Sequence, residues 1–450
     1  MKPGGVLFIA PSAYPLGGVA VWLDYLVPGL KSLGIPAKLA LTAGPRHDAA
    51  AYLSGHPGLS ARQISNPTGS AQGRVRAIAK VLAEQKPEIV VAVNIVDVYA
   101  AVREVRAKRQ QIKAVMALHA IAADLLADLA READVIDAVI STNMLATRLC
   151  IEVAHIPAER AFYAPCGVDT NTLASLNRTP REGPLRIAWI GRLENTQKRT
   201  ADLPAIAARL DARGVDWQLT LAGDGPDRDA LLAQLAPWIQ SGRVQHIGAL
   251  PADQIARVYA ASDVLLVTSE WETGPLVAWE AMAARVALVT SRYVGSGLEG
   301  ALQNGINCLH FETGSADDAA ACLATLAREP QTLAAIALAG QQLVQHRYTV
   351  AASIRSWAEA LQRARDLPPL PSAASRPPSQ PRAAPQGRLD RLLGAQAGET
   401  LRAAMGIRYE HADAGDEWPH TGSAMPEGDL MQRAARIDRP ERHPPENARQ

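Results

Sequence analysis

Short runs of apolar, largely β-branched residues recur along the chain, each followed by a longer Ala- and Leu-rich stretch with polar positions interleaved. A run that is apolar at every position suits a strand buried on both faces, and its alternation with helical stretches predicts βαβ units and parallel sheets. In the first half the pattern predicts strands at 6–10, 37–41, 89–93, 114–118, 138–141 and 161–164. Helices are predicted between them at 19–33, 73–84, 96–109, 122–132 and 145–153. A polar segment punctuated by Pro and Gly, Asn177 to Pro184, interrupts the series. The series restarts at 185–190 and continues with strands at 217–222, 244–247, 264–267, 286–290 and 308–310. The expectation is an α/β protein of two Rossmann-like domains, 1–180 and 184–346, with a ligand cleft between them. A helix at 347–366 would pack back on the N-terminal domain. Beyond it, the prolines from Pro368 to Pro385 and the polar residues that follow cannot build a core, so 367–450 reads as a mainly disordered tail. Leu389, Leu392, Leu393, Leu401 and Met405 mark one amphipathic stretch there, either a docking helix for a partner protein or, more simply, a fluctuating helix without one.

Composition narrows the class. The 450 residues carry 46 Lys+Arg against 45 Asp+Glu, a net charge of +1, which lacks the basic excess of a nucleic-acid binder. No apolar run approaches the roughly 18 residues of a membrane span, and Val6–Ala10 is too short for a signal peptide core. Cys150, Cys166, Cys308 and Cys322 lack metal or redox spacing and read as reduced thiols of a cytoplasmic protein.

The densest chemistry lies in Thr268-Ser269-Glu270-Trp271-Glu272-Thr273-Gly274-Pro275-Leu276-Val277-Ala278-Trp279-Glu280. A strand pattern, Val264–Val267, precedes it and a helix pattern follows from Leu276. Thr273 is expected to cap that helix and Pro275 to occupy its first turn. Backbone N–H groups at a helix start form an anion site, and Glu280 lies about one turn further in, roughly 5–6 Å along the axis. That spacing fits a phosphate and the ribose attached to it, with Glu272 on the loop side. At the end of another strand, Gly191-Arg192 is followed by Lys198. An Arg fork and a mobile Lys charge suit a departing diphosphate, whose negative charge they would stabilise without a metal.

Together these segments resemble the retaining GT-B glycosyltransferases of family 4. The Glu272/Glu280 pair resembles the family's E-x7-E motif, and Gly191-Arg192-Leu193 with Lys198 its Gly-Arg-Leu…Lys motif, one residue longer. Gly17-Gly18 resembles the Gly-Gly loop facing the diphosphate and sugar, and Gly223-Asp224-Gly225-Pro226 the Gly-Asp-Gly-Pro loop. Ile247-Gly248 matches a strand end that lies beside the nucleotide base, and His119 a His lining the acceptor side. The resemblance covers roughly 5–365 and implies a GT-B fold. It also implies a sugar transferred with retained configuration from a nucleoside diphosphate to an acceptor hydroxyl, in cell-surface glycan or glycolipid synthesis. Arg192 and Lys198 would hold the diphosphate, Glu272 the donor sugar, and Glu280, with Leu276, Val277 and Gly248, the nucleoside. Gly17 and Gly18 would give close backbone contacts. No cofactor or metal is implied beyond the donor; the acceptor would be a glycan, a lipid-linked or a small molecule. The chain departs from the family at Cys166 (for Asn), at Thr273-Gly274-Pro275, at Arg285 (for Gly) and at Ser296-Gly297, where the expected Glu falls one place early as Glu299.

Three signals compete. Gly295-x-Gly297-x-x-Gly300 has dinucleotide-loop spacing but comes late in its domain. Asp227 and Asp229 read as charge at a helix start rather than a metal pair. Arg103, Arg106, Arg109 and Lys113 form a basic stripe on one predicted helix, which would suit peripheral contact with the inner face of a membrane; an ordinary exposed face is the equal alternative. A GT-B-like sugar-nucleotide epimerase and a non-catalytic accessory subunit are the alternatives to a transferase.

Overall fold

The computed structural model describes residues 4–11, 18–42, 49–56, 58–59, 61–93, 95–178, 181–370, 387–408 and 423–438. Two compact units emerge, residues 1–165 with 353–430, and residues 166–352 with 431–450.

The first unit begins with β1 (Val6–Pro11), α1 (Gly18–Ser32), β2 (Ala37–Thr42), α2 (Ala49–Ser54), β3 (Ala61–Ile64), α3 (Ala71–Gln85) and β4 (Ile89–Val93). It continues with α4 (Asp97–Ala107), β5 (Lys113–Leu118), α5 (Ala123–Arg131), β6 (Ala138–Ser141), α6 (Met144–Glu152) and β7 (Ala161–Tyr163). The strands form one parallel sheet, ordered β3-β2-β1-β4-β5-β6-β7. Every residue of β4 is buried, as expected of a strand covered by helices on both faces. α3 shows how its helices are set: Ser70 caps it by accepting from Gly73 N–H, Lys86 closes it in a left-handed conformation, and Val75, Ile78, Ala79 and Leu82 face inward.

The second unit contains α7 (Thr170–Ala174), β8 (Leu185–Ile190), α8 (Asn195–Lys198), α9 (Asp202–Ala212), β9 (Trp217–Ala222), α10 (Arg228–Gln234) and α11 (Ala236–Gln240). Then come β10 (Val244–His246), α12 (Ala252–Ala260), β11 (Val264–Val267), α13 (Leu276–Ala283), β12 (Ala287–Ser291), β13 (Leu309–Phe311), α14 (Ala316–Arg328) and α15 (Pro330–Arg347). Its parallel sheet runs β10-β9-β8-β11-β12-β13. Alternate residues feed two cores: Leu185, Ile187, Trp189, Val264 and Leu266 on one face, Ala188, Leu265 and Val267 on the other. Residues 166–178, assigned to the first domain by the sequence pattern, belong with this second unit, where Val168 N–H bonds the Tyr348 carbonyl.

α16 (Val350–Asp366) carries the chain back to the first unit from Ser353 onward. The tail is not structureless throughout: α17 (Arg388–Leu393), α18 (Ala395–Met405) and α19 (Glu427–Asp438) are helical, while 371–386, 409–422 and 439–450 lie outside the described residues. α18 packs on α3 through charges that read as solvated in the sequence. Glu399 accepts from Thr68 Oγ1 (2.8 Å) and Ser70 Oγ (2.5 Å) and pairs with Arg402 (3.0 Å), which also pairs with Asp390. Glu399 and Arg402 are both buried, so mutual neutralisation and hydrogen bonding offset their desolvation.

The basic stripe is not a stripe. α4 ends at Ala107, Arg109 is left-handed and Lys113 begins β5. Arg103 pairs with Glu132 and Asp134, and Arg106 and Lys113 share Asp137. Among the described residues no helix is long and apolar enough to cross a membrane.

Candidate functional site

In the second sheet the strand order reverses direction between β8 and β11, a point where loops at the carboxyl ends of two adjacent strands diverge and leave room for a ligand. The Gly191–Lys198 segment leaves β8 there and the Thr268–Gly274 segment leaves β11. Their side chains interlock. Trp189 Nε1 donates to Thr268 Oγ1 (3.1 Å), and Thr268 Oγ1 donates to the Lys198 carbonyl (2.6 Å). Glu270 N–H donates to the Gln197 carbonyl (2.7 Å). Glu194, buried, caps α8 by accepting from Gln197 and Lys198 N–H groups.

Lys198 and Glu272, 74 positions apart, meet at 2.5 Å (Nζ to Oε1). Ser269 Oγ donates to the same Glu272 oxygen (2.6 Å), and Gln197 Nε2 to the other (3.4 Å). The carboxylate is therefore fixed from three sides, although the sequence reading placed Lys198 on phosphate and Glu272 on sugar without foreseeing their contact. Arg192 stands apart: its side chain is 64% exposed and lies 3.5 Å from Glu194. A long exposed guanidinium held by one weak contact is free to turn onto an anion.

The loop carrying Arg192 is shaped by glycine. Gly223 adopts φ +145°, and a Cβ there would lie 1.8 Å from the Gly191 carbonyl oxygen. Leu193 N–H bonds the Asp224 carbonyl (2.9 Å), Asp227 N–H the Leu193 carbonyl (3.0 Å), and Asn195 N–H the Asp227 carboxylate (2.7 Å). The Gly-Asp-Gly-Pro loop thus props the Arg192 loop, and Asp227 serves as a backbone acceptor. Gly248, left-handed at φ +74°, accepts from Gly223 N–H (2.7 Å) and closes the same cluster.

α13 starts at Leu276, and Pro275 rather than Thr273 occupies the cap position, one residue before the first turn. Proline in that place leaves no extra N–H to satisfy. Leu276 and Val277 are partly buried in the opening turn. Glu280, also partly buried, accepts from Tyr259 Oη (2.8 Å), which bonds the Val277 carbonyl as well (3.3 Å). Burial raises the Glu280 pKa above the usual carboxylate range, and the Tyr259 hydrogen bond partly opposes it. Tyr259, Ser269 and Gln197 escape a sequence reading because a lone Tyr, Ser or Gln in a helix or loop carries no spacing signal.

Of the expected residues, Gly18 and His119 are the two described ones in the first unit. Gly18 opens α1, and its neighbour Gly17 lies outside the described residues. His119 follows β5 and packs against Trp22 (ring centroids 4.4 Å apart) and Trp357 (6.3 Å). Burial lowers its pKa to about 4, so the imidazole is neutral at neutral pH.

Residues 184–329 match the family model for group 1 glycosyl transferases. Glycogen synthase of Mycobacterium tuberculosis is 32% identical over 145 residues, 32% of this chain and 34% of that one. D-inositol 3-phosphate glycosyltransferase of Rhodococcus jostii is 31% identical over 194 residues, 42% of each chain. The chain thus spans well under half the length of these curated relatives. The solved structure of Anabaena Alr3699/HepE in complex with UDP superposes with a TM-score of 0.65 at 20% identity, covering 80% of this chain and 99% of that one. The match to group 1 glycosyl transferases is confined to residues 184–329, within the second unit, and the solved neighbours share the GT-B fold of two Rossmann-like domains.

Proposed function

We propose that the chain is a retaining glycosyltransferase that moves a sugar from a nucleoside diphosphate to an acceptor hydroxyl in cell-surface glycan or glycolipid synthesis, with two side-chain cations in place of a metal. The observation that carries the reading is the junction of Lys198 with Glu272 at the β8/β11 strand ends, beside an exposed Arg192. A bound donor would bring its diphosphate to Arg192 and Lys198, exchanging the internal ion pair for one in which Lys198 faces phosphate. Glu272, still held by Ser269 and Gln197, would then accept from donor-sugar hydroxyls. Glu280 would accept from the ribose, with Leu276, Val277 and Gly248 along the nucleoside. By resemblance, Gly17 and Gly18 would approach the donor through their backbone and His119 would serve the acceptor; neutral at neutral pH, it can bond a hydroxyl without adding charge.

In the proposed step the bond from the anomeric carbon to the diphosphate oxygen breaks while the acceptor oxygen bonds the same face of that carbon. The acceptor proton passes to the departing phosphate oxygen, and Arg192 and Lys198 stabilise the charge developing there. A thermal-shift panel of UDP-, GDP- and ADP-sugars should find one donor that raises the midpoint. Proton NMR of the first sugar released from that donor should show the donor's own anomeric configuration. An inverted product refutes the retaining assignment, and an altered sugar nucleotide with no transfer would favour an epimerase.

A further inference from the structure

The dinucleotide-like spacing Gly295-x-Gly297-x-x-Gly300 belongs to a loop that binds an anion of its own chain. Gly295 N–H and Gly297 N–H donate to Asp438 Oδ2 (2.8 and 3.0 Å), and Leu298 N–H to Oδ1 (2.9 Å). Gly295 takes φ +109°, and a Cβ on Gly297 would lie 2.1 Å from the Asp438 carbonyl oxygen. Both glycines are thus required by the seat itself, a concave run of backbone donors of the kind that holds carboxylates and phosphates. Asp438, wholly buried, ends α19 and lies far beyond the stretch that carries the family resemblance.

The seat is continuous with the backbone that holds Glu272. Val294, immediately before Gly295, donates its N–H to the Glu270 carbonyl (2.9 Å) and accepts at its carbonyl from Glu272 N–H (3.0 Å). Trp271 and Val294 form a parallel bridge between these two segments. Ser291 Oγ donates to the Ser269 carbonyl (2.6 Å), tying the same two segments one step earlier. The 269–272 segment is therefore held on one side by 291–294 and on the other by Gln197, whose carbonyl accepts from Glu270 N–H (2.7 Å) and whose Nε2 donates to the Trp271 carbonyl (3.2 Å).

We propose that Asp438 is a positioning residue for Glu272: its carboxylate fixes loop 295–298, the loop fixes Val294, and Val294 fixes the backbone from which Glu272 reaches the donor sugar. The inference rests on the donor-site reading above for the role of Glu272, but the mechanical coupling stands on the hydrogen bonds alone. It makes the C-terminal segment part of the sugar-binding half of the site, while the nucleotide half meets it only through Lys198, which exchanges Glu272 for phosphate when the donor binds; Arg192 and Glu280 lie on other segments.

The test uses the full chain with D438N, D438A and, as a steric counterpart that keeps the carboxylate, G297A. D438N substitutes an NH2 for one acceptor oxygen and so opposes a backbone donor. Hydrogen exchange should quicken about tenfold in peptides covering both 294–298 and 269–273, with the remainder of the chain unchanged. By titration calorimetry UDP should bind each variant within about twofold of wild type, whereas UDP-glucose should lose about tenfold. D438E should recover part of that loss. Faster exchange confined to 294–298, with 269–273 as protected as in wild type, overturns the coupling, as does equal loss of UDP and UDP-glucose. Should wild type bind neither ligand, the donor reading fails, and the exchange of 269–273 still decides whether Asp438 positions Glu272.

Discussion

Replacing Lys198 by alanine separates stability from function at the heart of the site. The Lys198 and Glu272 side chains are only 20% and 7% exposed and lie 2.5 Å apart. Breaking a buried ion pair by removing one partner costs about 3–5 kcal/mol, mostly from the charge left behind. Glu272 would retain Ser269 Oγ at 2.6 Å and Gln197 Nε2 at 3.4 Å, which lowers the expected cost of K198A to about 2 kcal/mol. The reverse change, E272Q, keeps one acceptor oxygen for Ser269 Oγ, gives up the weaker Gln197 contact at 3.4 Å and leaves a Lys long enough to reach water, so about 0.5–1 kcal/mol is expected. For a unit of this size, about 2 kcal/mol corresponds to a thermal shift of roughly 4–8 °C. Urea unfolding of the two single variants and the double variant, with unchanged slope, should yield a coupling of about 1–2 kcal/mol. K198A as stable as wild type, or strictly additive effects, would refute the argument that this pair is buried and mutually dependent.

Glu280→Gln should stabilise the free protein at neutral pH while weakening nucleotide binding. Burial raises the Glu280 pKa, so the folded state binds the proton more tightly than the unfolded one, and stability falls as pH rises from about 4.5 through the raised value. The glutamine variant should lack that fall in a series of thermal melts. His119 shows the opposite sense: its pKa drops from 6.5 to about 4, so folding loses up to about 3 kcal/mol as pH falls across that window. His119→Gln should flatten the acid limb, and an unchanged limb would mean that the imidazole is not buried as described. Gly223→Ala, whose Cβ would meet the Gly191 carbonyl oxygen at 1.8 Å, should displace the Arg192 loop; calorimetry should find nucleoside diphosphate binding reduced at least tenfold.

What the sequence makes legible follows from burial. β4 and β11 are apolar at every position because helices cover both faces of their sheets, and such runs stand out. β3, Ala-Arg-Gln-Ile, escapes notice because it is an edge strand whose Arg62 and Gln63 face solvent. At the site, Glu272 and Glu280 are legible because one loop and one helix set their spacing. The Lys198 contact is not, since the fold alone joins residues 74 positions apart. In the tail, Glu399, Arg402 and Asp438 look like ordinary surface charges, and only tertiary structure reveals the partners that bury them. The glycines at 295 and 297 illustrate the converse: a pattern that suggests a dinucleotide loop exists to seat Asp438.

The central claim is that the β8/β11 strand ends bind the diphosphate of an activated sugar, and Arg192 tests it with least ambiguity because its exposed side chain contributes little packing. Titration of wild type and R192A with UDP, GDP and ADP should find one nucleotide that wild type binds and R192A binds about 10–100-fold more weakly, at equal thermal stability. Equal affinity of R192A and wild type for that nucleotide would contradict the account.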